Sequence, residues 1–242
     1  MKAMIFAAGF GKRLLPLTEN TPKALIQVQN RPMLDWIIDN LIQSGIKDII
    51  INTHHLAPRI VSFLKEKQYP VSVKTSHEET ILGTGGGLFN TKNFWNTNDF
   101  FVCNADILCN ADLRIFHDHH KNRGSLVSLG INNRISKSML LVDEKGYLVG
   151  NQKNGKREII RTPHGEVQCF GFCGFHMISP KIFSYIDHPV EFSIIDEYFK
   201  IVRLGVPIST WHINDAYWED IGTLEALRSA NREFPGFSHV SS

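Results

Sequence analysis

An α/β fold built on a mostly parallel sheet is predicted for this chain of 242 residues. Three observations support it. Strand-length apolar runs (Ala3–Ala8, Asp48–Asn52, Val71–Thr75) alternate with amphipathic segments of helical length. Glycine-rich stretches at 9–11 and 83–87 follow the first and third of those strands, where a parallel sheet gathers its ligand-binding loops. From about residue 125 the pattern changes to short strands with a hairpin turn, which marks a smaller mixed-strand part.

The opening strand is a continuous apolar run, as expected of a strand buried on both faces. It ends at Gly9-Phe10-Gly11-Lys12-Arg13, where two glycines permit a sharp turn that exposes backbone N–H groups. Arg13 follows at once, and Lys23 comes ten residues later, after Pro16 and Pro22. A glycine turn that receives two cations suits a polyanion such as a triphosphate, although a tight turn with two solvated cations has the same spelling. Two familiar phosphate loops do not fit. A dinucleotide fingerprint needs a third glycine where Leu14 stands, and a Walker loop needs glycine at Phe6 and Ser or Thr at Arg13.

The next helix opens at Pro32-Met33, with Met33, Leu34, Ile37, Ile38 and Leu41 on one face and Asp35, Asp39 and Gln43 opposite, and Gly45 closes it. His54-His55 reads as loop surface after the second strand, and residues 56–65 read as a helix. Glu78 to Gly87 reads as a loop between a strand and a helix. Residues 99–106 form a strand with Asp106 at its carboxyl end, while Asp112 is placed to cap a helix from Leu113. A carboxylate at such a strand end can hold a divalent cation.

In the second half, 138–143 and 147–150 form strands around a turn at Glu144-Lys145-Gly146. The polar stretch 151–165 reads as a flap. Residues 167–179 form a long strand carrying Gly171 and Gly174, and glycine inside a strand marks a close approach of ligand or backbone. Pro180 begins a helix, and Ser193 with Asp196 spells a capping box. A strand at 207–213 precedes Trp218-Glu219-Asp220-Ile221-Gly222-Thr223, and Thr223 caps a final helix carrying Leu224, Leu227 and Ala230. Residues 233–242 read as a tail.

The ordered pattern from Ala7 through Gly9, Gly11, Arg13, Pro16, Thr18, Pro22, Lys23 and Leu25 resembles the opening of the sugar-1-phosphate nucleotidyltransferases. The resemblance continues through Gly83-Thr84-Gly85-Gly86, Asn104-Ala-Asp106 and the late Trp-x-Asp-Ile-Gly-Thr stretch, and spans about residues 1–232. The chain looks most like the short, single-domain bacterial members, such as mannose-1-phosphate guanylyltransferase-like proteins and N-acetylmuramate-1-phosphate uridylyltransferases. The fold it implies is a Rossmann-like three-layer sandwich of the nucleotide-diphospho-sugar transferase type. Residues 1–124 would bind nucleotide, and 125–232 would bind the sugar and supply the second metal acid.

The same resemblance implies the site. Asp106 and Asp220 would hold Mg²⁺, with Arg13 and Lys23 as the catalytic cations. Nucleotide would be held by Ala7, Ala8, Gly9, Gly11, Lys12, Arg13, Lys23, Glu78, Gly83, Thr84, Gly85 and Asn104. The sugar would lie against Asn151, Lys153 and Gly174. The expected substrates are a nucleoside triphosphate and a sugar-1-phosphate, either UTP with N-acetylmuramate- or hexose-1-phosphate, or a guanylyl donor with mannose- or heptose-1-phosphate. A non-catalytic nucleotide-sugar sensor is the rival from another class, and two metal carboxylates argue against it.

Composition narrows the partners. A net charge of +2 gives no electrostatic case for nucleic acid or membrane, and no apolar run reaches the length of a span. The first apolar run stops at Ala8, too short for a secretion signal, so a cytoplasmic location is expected. Cys103, Cys109, Cys169 and Cys173 form no Cys-x-x-Cys pair and read as free thiols.

Overall fold

The computed structural model describes residues 1–186, 191–213 and 216–237. The first elements are β1 (Lys2–Phe6), β2 (Gln27–Val28), β3 (Arg31–Pro32), α1 (Met33–Gln43), β4 (Asp48–Thr53), α2 (Ala57–Lys67) and β5 (Ser72–His77). Then come α3 (Gly83–Asn90), β6 (Phe100–Asn104), β7 (Ile107–Cys109), α4 (Leu113–Arg123), β8 (Val127–Asn132), β9 (Ser138–Asp143) and β10 (Leu148–Lys153). The chain continues through β11 (Lys156–Ile159), β12 (Val167–Ile178), α5 (Ile194–Arg203), β13 (Ser209–His212), β14 (Trp218–Asp220) and α6 (Leu224–Glu233). It divides into two compact units, and β6 leads from the second into the first.

The first unit comprises residues 1–81, 103–113 and the described residues from 216. Its strands β1, β4 and β5 are parallel, with Phe6 opposite Asn52 and Thr53 opposite His77. That register brings the segments starting at Ala7, His54 and Glu78 to one carboxyl edge. Ala3, Met4, Ile5, Ile49 and Ile51 are fully buried, as strands covered on both faces require. Helix α1 presents the expected apolar stripe, and Gly45 at φ +83° ends it.

Asp35 departs from expectation. It lies buried rather than on the solvent side of α1, because Arg31 Nε and Lys67 Nζ each reach its Oδ2 at 2.7 Å and the Tyr69 hydroxyl donates to Oδ1 at 2.6 Å. Arg31 also pairs with Asp39 and stacks over Trp36. At the other end of the unit, Thr223 Oγ1 accepts the Ala226 N–H at 3.1 Å and caps α6 as expected. Phe234 is buried against Trp36 and Tyr217, and Phe237 also meets Trp36, so the expected tail is packed through 237. Residues 238–242 of that tail lie outside the described residues.

The second unit comprises residues 82–102 and the described residues from 114 to 213. Its long strand β12 is antiparallel to both β8 and β9, β10 is antiparallel to β9 and β11, and β13 runs parallel to β8. The turn at Gly146 forms as expected, with its N–H on the Asp143 carbonyl. Instead of a flap, β10 continues through Lys153, turns at Asn154-Gly155 (φ +48° and +80°) and returns as β11. Asn-Gly with two positive φ values is the favoured two-residue hairpin turn.

Three further expectations give way in this unit. The glycine cluster 83–87 is not a loop but the first turns of α3. After Pro180 the chain makes only a short 3₁₀ turn to Ser184. Ser193 stands at the N-cap of α5 without a side-chain capping bond. The Ile194 N–H goes instead to Thr84 Oγ1 at 3.0 Å.

Candidate active site

All four of the expected catalytic residues belong to the first unit, where contacts of their own or of their immediate chain neighbours link them. Gly11 turns the chain after β1 with φ +66° and ψ +23°, a conformation in which glycine carries no Cβ penalty. Its carbonyl accepts the Leu14 N–H and the Thr18 hydroxyl at 2.9 Å each, and a Cβ here would press on Thr18 and on Lys23 Cβ. The turn therefore backs directly onto Lys23. Lys23 Nζ reaches Asp106 Oδ2 at 2.5 Å, with the two side chains 14% and 25% exposed. The Ala105 N–H donates to the Phe6 carbonyl at 3.0 Å, which holds Asp106 beside the end of β1.

Asp220 reaches the same place from far along the chain. Strands β7 and β14 pair antiparallel with Asp220 opposite Ile107, and the Ile221 N–H donates to the Asp106 carbonyl at 2.8 Å. Two residues beyond Asp220, a Cβ on Gly222 would lie 2.6 Å from Arg13 Nη2. The guanidinium thus lies in the space that glycine leaves empty. Glycine turn, Lys23, Asp106, Asp220, Gly222 and Arg13 form one continuous neighbourhood carrying two cations and two carboxylates. The negative charge of Asp106 is felt nearby, since burial and then that charge push the Cys103 thiol well above its usual range.

The donor set fits a hard divalent cation. Mg²⁺ is held by one or two carboxylates and substrate phosphates rather than by a full protein cage. Among the described residues no group of three or more His, Cys, Asp or Glu is arranged for a metal. Asp106, in the turn between β6 and β7, and Asp220, at the end of β14, would offer such an ion oxygen donors only.

The other expected ligands are placed as follows. Ala7 is buried, and its N–H donates to Asn52 Oδ1 at 2.8 Å, so that amide is turned toward the protein. Ala8 is also buried, whereas Gly9 and Lys12 are exposed in the loop, with Lys12 over the Phe10 ring. Asn104 ends β6, two residues before Asp106. Glu78 lies 2% exposed at the carboxyl edge of β5, where its Oε1 accepts from Asn52 Nδ2 at 2.8 Å.

Gly83, Thr84 and Gly85 lie in the second unit and have structural partners there. A Cβ on Gly83 would lie 2.6 Å from the Phe192 carbonyl, the Gly85 N–H donates to that carbonyl, and Thr84 caps α5. Asn151 is buried within β10 and Lys153 is exposed beside the hairpin turn. Gly174 is buried at φ +76°, within the register shift between Phe172 and His176, so a bulge accounts for its glycine. Sequence reasoning missed Asn52, whose short polar side chain at the end of an apolar strand was the available signal.

A model of the nucleotidyl transferase family matches residues 2–235. The chain belongs to that family. It is 28% identical over 242 residues to a UTP–glucose-1-phosphate uridylyltransferase of Synechocystis, covering 92% of this chain and 60% of that protein. A mannose-1-phosphate guanyltransferase of Emericella nidulans is 31% identical over 235 residues, covering 92% and 61%. The chain therefore spans about three-fifths of the length of these curated relatives. HddC from Yersinia pseudotuberculosis shares the fold at a TM-score of 0.79 and 22% identity, covering 96% of this chain and 99% of that one. The expected family and α/β fold both hold.

Proposed function

We propose that this nucleotidyl transferase family member joins a sugar-1-phosphate to a nucleoside triphosphate, releasing pyrophosphate. The observation that carries the reading is the run of contacts from the glycine turn through Lys23 and Asp106 to Asp220 and Arg13. An oxygen of the sugar phosphate attacks the α-phosphorus, an O–P bond forms, and the bond from the α-phosphorus to the bridging oxygen breaks. The nucleophile is already an anion, so no general base is assigned. The barrier lies in bringing two anions together, and the chain's cations act on it.

Arg13 and the backbone N–H groups of the exposed loop at Gly9–Lys12 hold the β- and γ-phosphates as negative charge builds on the leaving group. Lys23, now paired with Asp106, stands ready to neutralise the α-phosphate. Asp106 and Asp220 would hold Mg²⁺, which would supply further charge neutralisation when bound. Within the first unit Glu78 is proposed to contribute to nucleotide selection, and within the second Asn151 and Lys153 to sugar selection.

The finer proposal is UTP with N-acetylmuramate- or hexose-1-phosphate. A guanylyl donor with mannose- or heptose-1-phosphate is the alternative, and the two named relatives divide between these nucleotides. Pyrophosphate release is measured for the four nucleoside triphosphates against a panel of sugar-1-phosphates, with Mg²⁺ and with chelator. Metal-dependent release by one pair is expected. Tight binding of a nucleotide sugar with no release from any pair would replace the enzyme reading with a sensor.

A further inference from the structure

Asn52, to which the proposed reaction gives no part, and Glu78, proposed above for nucleotide selection, form a buried relay beneath the glycine loop. Asn52 is 3% exposed at the carboxyl end of β4, and Glu78 is 2% exposed just beyond β5. Asn52 Oδ1 accepts the Ala7 N–H at 2.8 Å, and Asn52 Nδ2 donates to Glu78 Oε1 at 2.8 Å. Glu78 is held in turn by backbone. Its N–H donates to the Thr53 carbonyl at 2.8 Å, and its own carbonyl lies 2.8 Å from His54 Nδ1. A side-chain amide accepts from a backbone N–H through its oxygen while its nitrogen donates to a carboxylate. Aspartate has the same shape but no donor, and leucine has neither function.

Ala7 is the first residue after β1, and Gly9 follows two residues later. Whatever fixes the Ala7 peptide sets the direction in which the loop leaves the sheet. Burial raises the importance of both bonds, because an unpaired amide or carboxylate at this depth has no water to turn to.

We propose that Asn52 is the positioning residue of the phosphate-binding loop, with Glu78 as the carboxylate that orients its amide. This rests on the nucleotidyltransferase reading for its consequence, though not for its geometry. Asn52 touches no reacting atom. It fixes the Ala7 peptide so that the loop N–H groups and Arg13 are presented in one arrangement before the triphosphate arrives. Preorganisation of this kind lowers the cost of binding rather than adding a contact.

The polarity of the relay supplies its test. Asn52→Asp keeps the acceptor for Ala7 but places two carboxylates face to face. Glu78→Gln keeps an acceptor for Asn52. In the double variant Asn52→Asp/Glu78→Gln, the new glutamine amide donates to the new aspartate, and the relay is rebuilt with its direction reversed. Three readouts are taken on wild type, both single variants and the double variant: melting temperature, hydrogen exchange of the peptide spanning residues 3–13, and KM and kcat for pyrophosphate release.

Asn52→Asp is expected to speed exchange in that peptide, to lower the melting temperature and to raise the triphosphate KM about tenfold, with a smaller change in kcat. Glu78→Gln leaves loop exchange near wild type, and the double variant returns it to that level. Partial unfolding of Asn52→Asp that the second substitution repairs supports the relay equally. Unchanged loop exchange in Asn52→Asp, or a double variant no better than that single one, overturns the proposal. Absence of pyrophosphate release from wild type, with the exchange pattern as expected, would overturn the enzyme reading and leave the hold of Asn52 on the loop intact.

Discussion

Asp106 carries two relationships at once, a 2.5 Å contact with Lys23 and a backbone bond from Ile221 that brings Asp220 alongside. Asp106→Asn keeps the size of the side chain and removes its charge. It is expected to fold normally and to lose about a hundredfold or more in kcat, checked by steady-state pyrophosphate release alongside a melting curve. Arg13 lies against Gly222, and its planar fork can hold two phosphate oxygens, which an ammonium cannot. Arg13→Lys should raise the triphosphate KM about tenfold with the fold intact. Both residues were expected at the site from the fixed order of the glycine turn and the acids along the chain, whereas the Lys23–Asp106 pair and the seat of Arg13 against Gly222 came only from the structure. Asp35 was not expected to be buried. Its helical position faces away from the apolar stripe, and Lys67 and Tyr69, brought from α2 and the segment after it, join Arg31 to make burial tolerable. Burial works to raise the Asp35 carboxyl, and the bonds from Arg31, Lys67 and Tyr69 outweigh it and hold the group below the usual range. Asp35→Ala is expected to cost about 2–3 kcal/mol in urea unfolding, since it removes a buried carboxylate that holds Arg31, Lys67 and Tyr69 and leaves the Tyr69 hydroxyl without its acceptor.

At the scale of elements, β1, β4, β5, α1 and α2 of the first unit form where their patterns place them, with ends displaced by a residue or two, while the short strands β2, β3, β7 and β14 were not expected. The errors concentrate where glycine was read as loop. In α3 the glycines serve packing, since Gly83 and Gly85 lie against Phe192 and leave no room for a methyl group. Gly83→Ala combines a positive φ with a backbone clash and should destabilise the fold by about 2 kcal/mol, read from chemical denaturation. The Asn154-Gly155 hairpin was legible and was overlooked among polar neighbours. The unformed capping box at Ser193 was not legible. Thr84, 110 residues away, takes the N–H at the start of α5, and no local pattern announces a distant partner.

For the molecule as a whole, the buried titratable groups set its tolerance of acid and of thiol reagents. Burial lowers His176, hydrogen-bonded to Tyr198, to about 3, and lowers His120 to about 4 against the opposing pull of Asp99. An unfolded chain takes up these protons near pH 6.5, while the folded chain refuses them until much lower pH. Stability therefore falls as pH drops from about 6.5 toward 4, by at most about 1.4 kcal/mol per pH unit for each group. Urea unfolding at stepped pH should show that slope, and His176→Gln should make it shallower. Cys103, Cys109 and Cys173 are buried free thiols and Cys169 is half-buried, as the absence of paired spacing led one to expect. Burial pushes the Cys109 thiol up to about 12. Iodoacetamide at neutral pH should label Cys169 in the folded protein and the other three only after denaturation, checked by mass spectrometry.

The chain by itself determined what is written in nearest neighbours and periods. These are the parallel strands, the glycine turn after β1, the acids at strand ends and the family to which the chain belongs. Tertiary structure alone decided which polar groups could be buried, because burial depends on partners that sequence distance conceals. Asp35 with Lys67 and Tyr69 beside its neighbour Arg31, Thr84 at the start of α5 and Asn52 between Ala7 and Glu78 all depend on residues far along the chain. A buried donor or acceptor is stable only once the fold has delivered its counterpart.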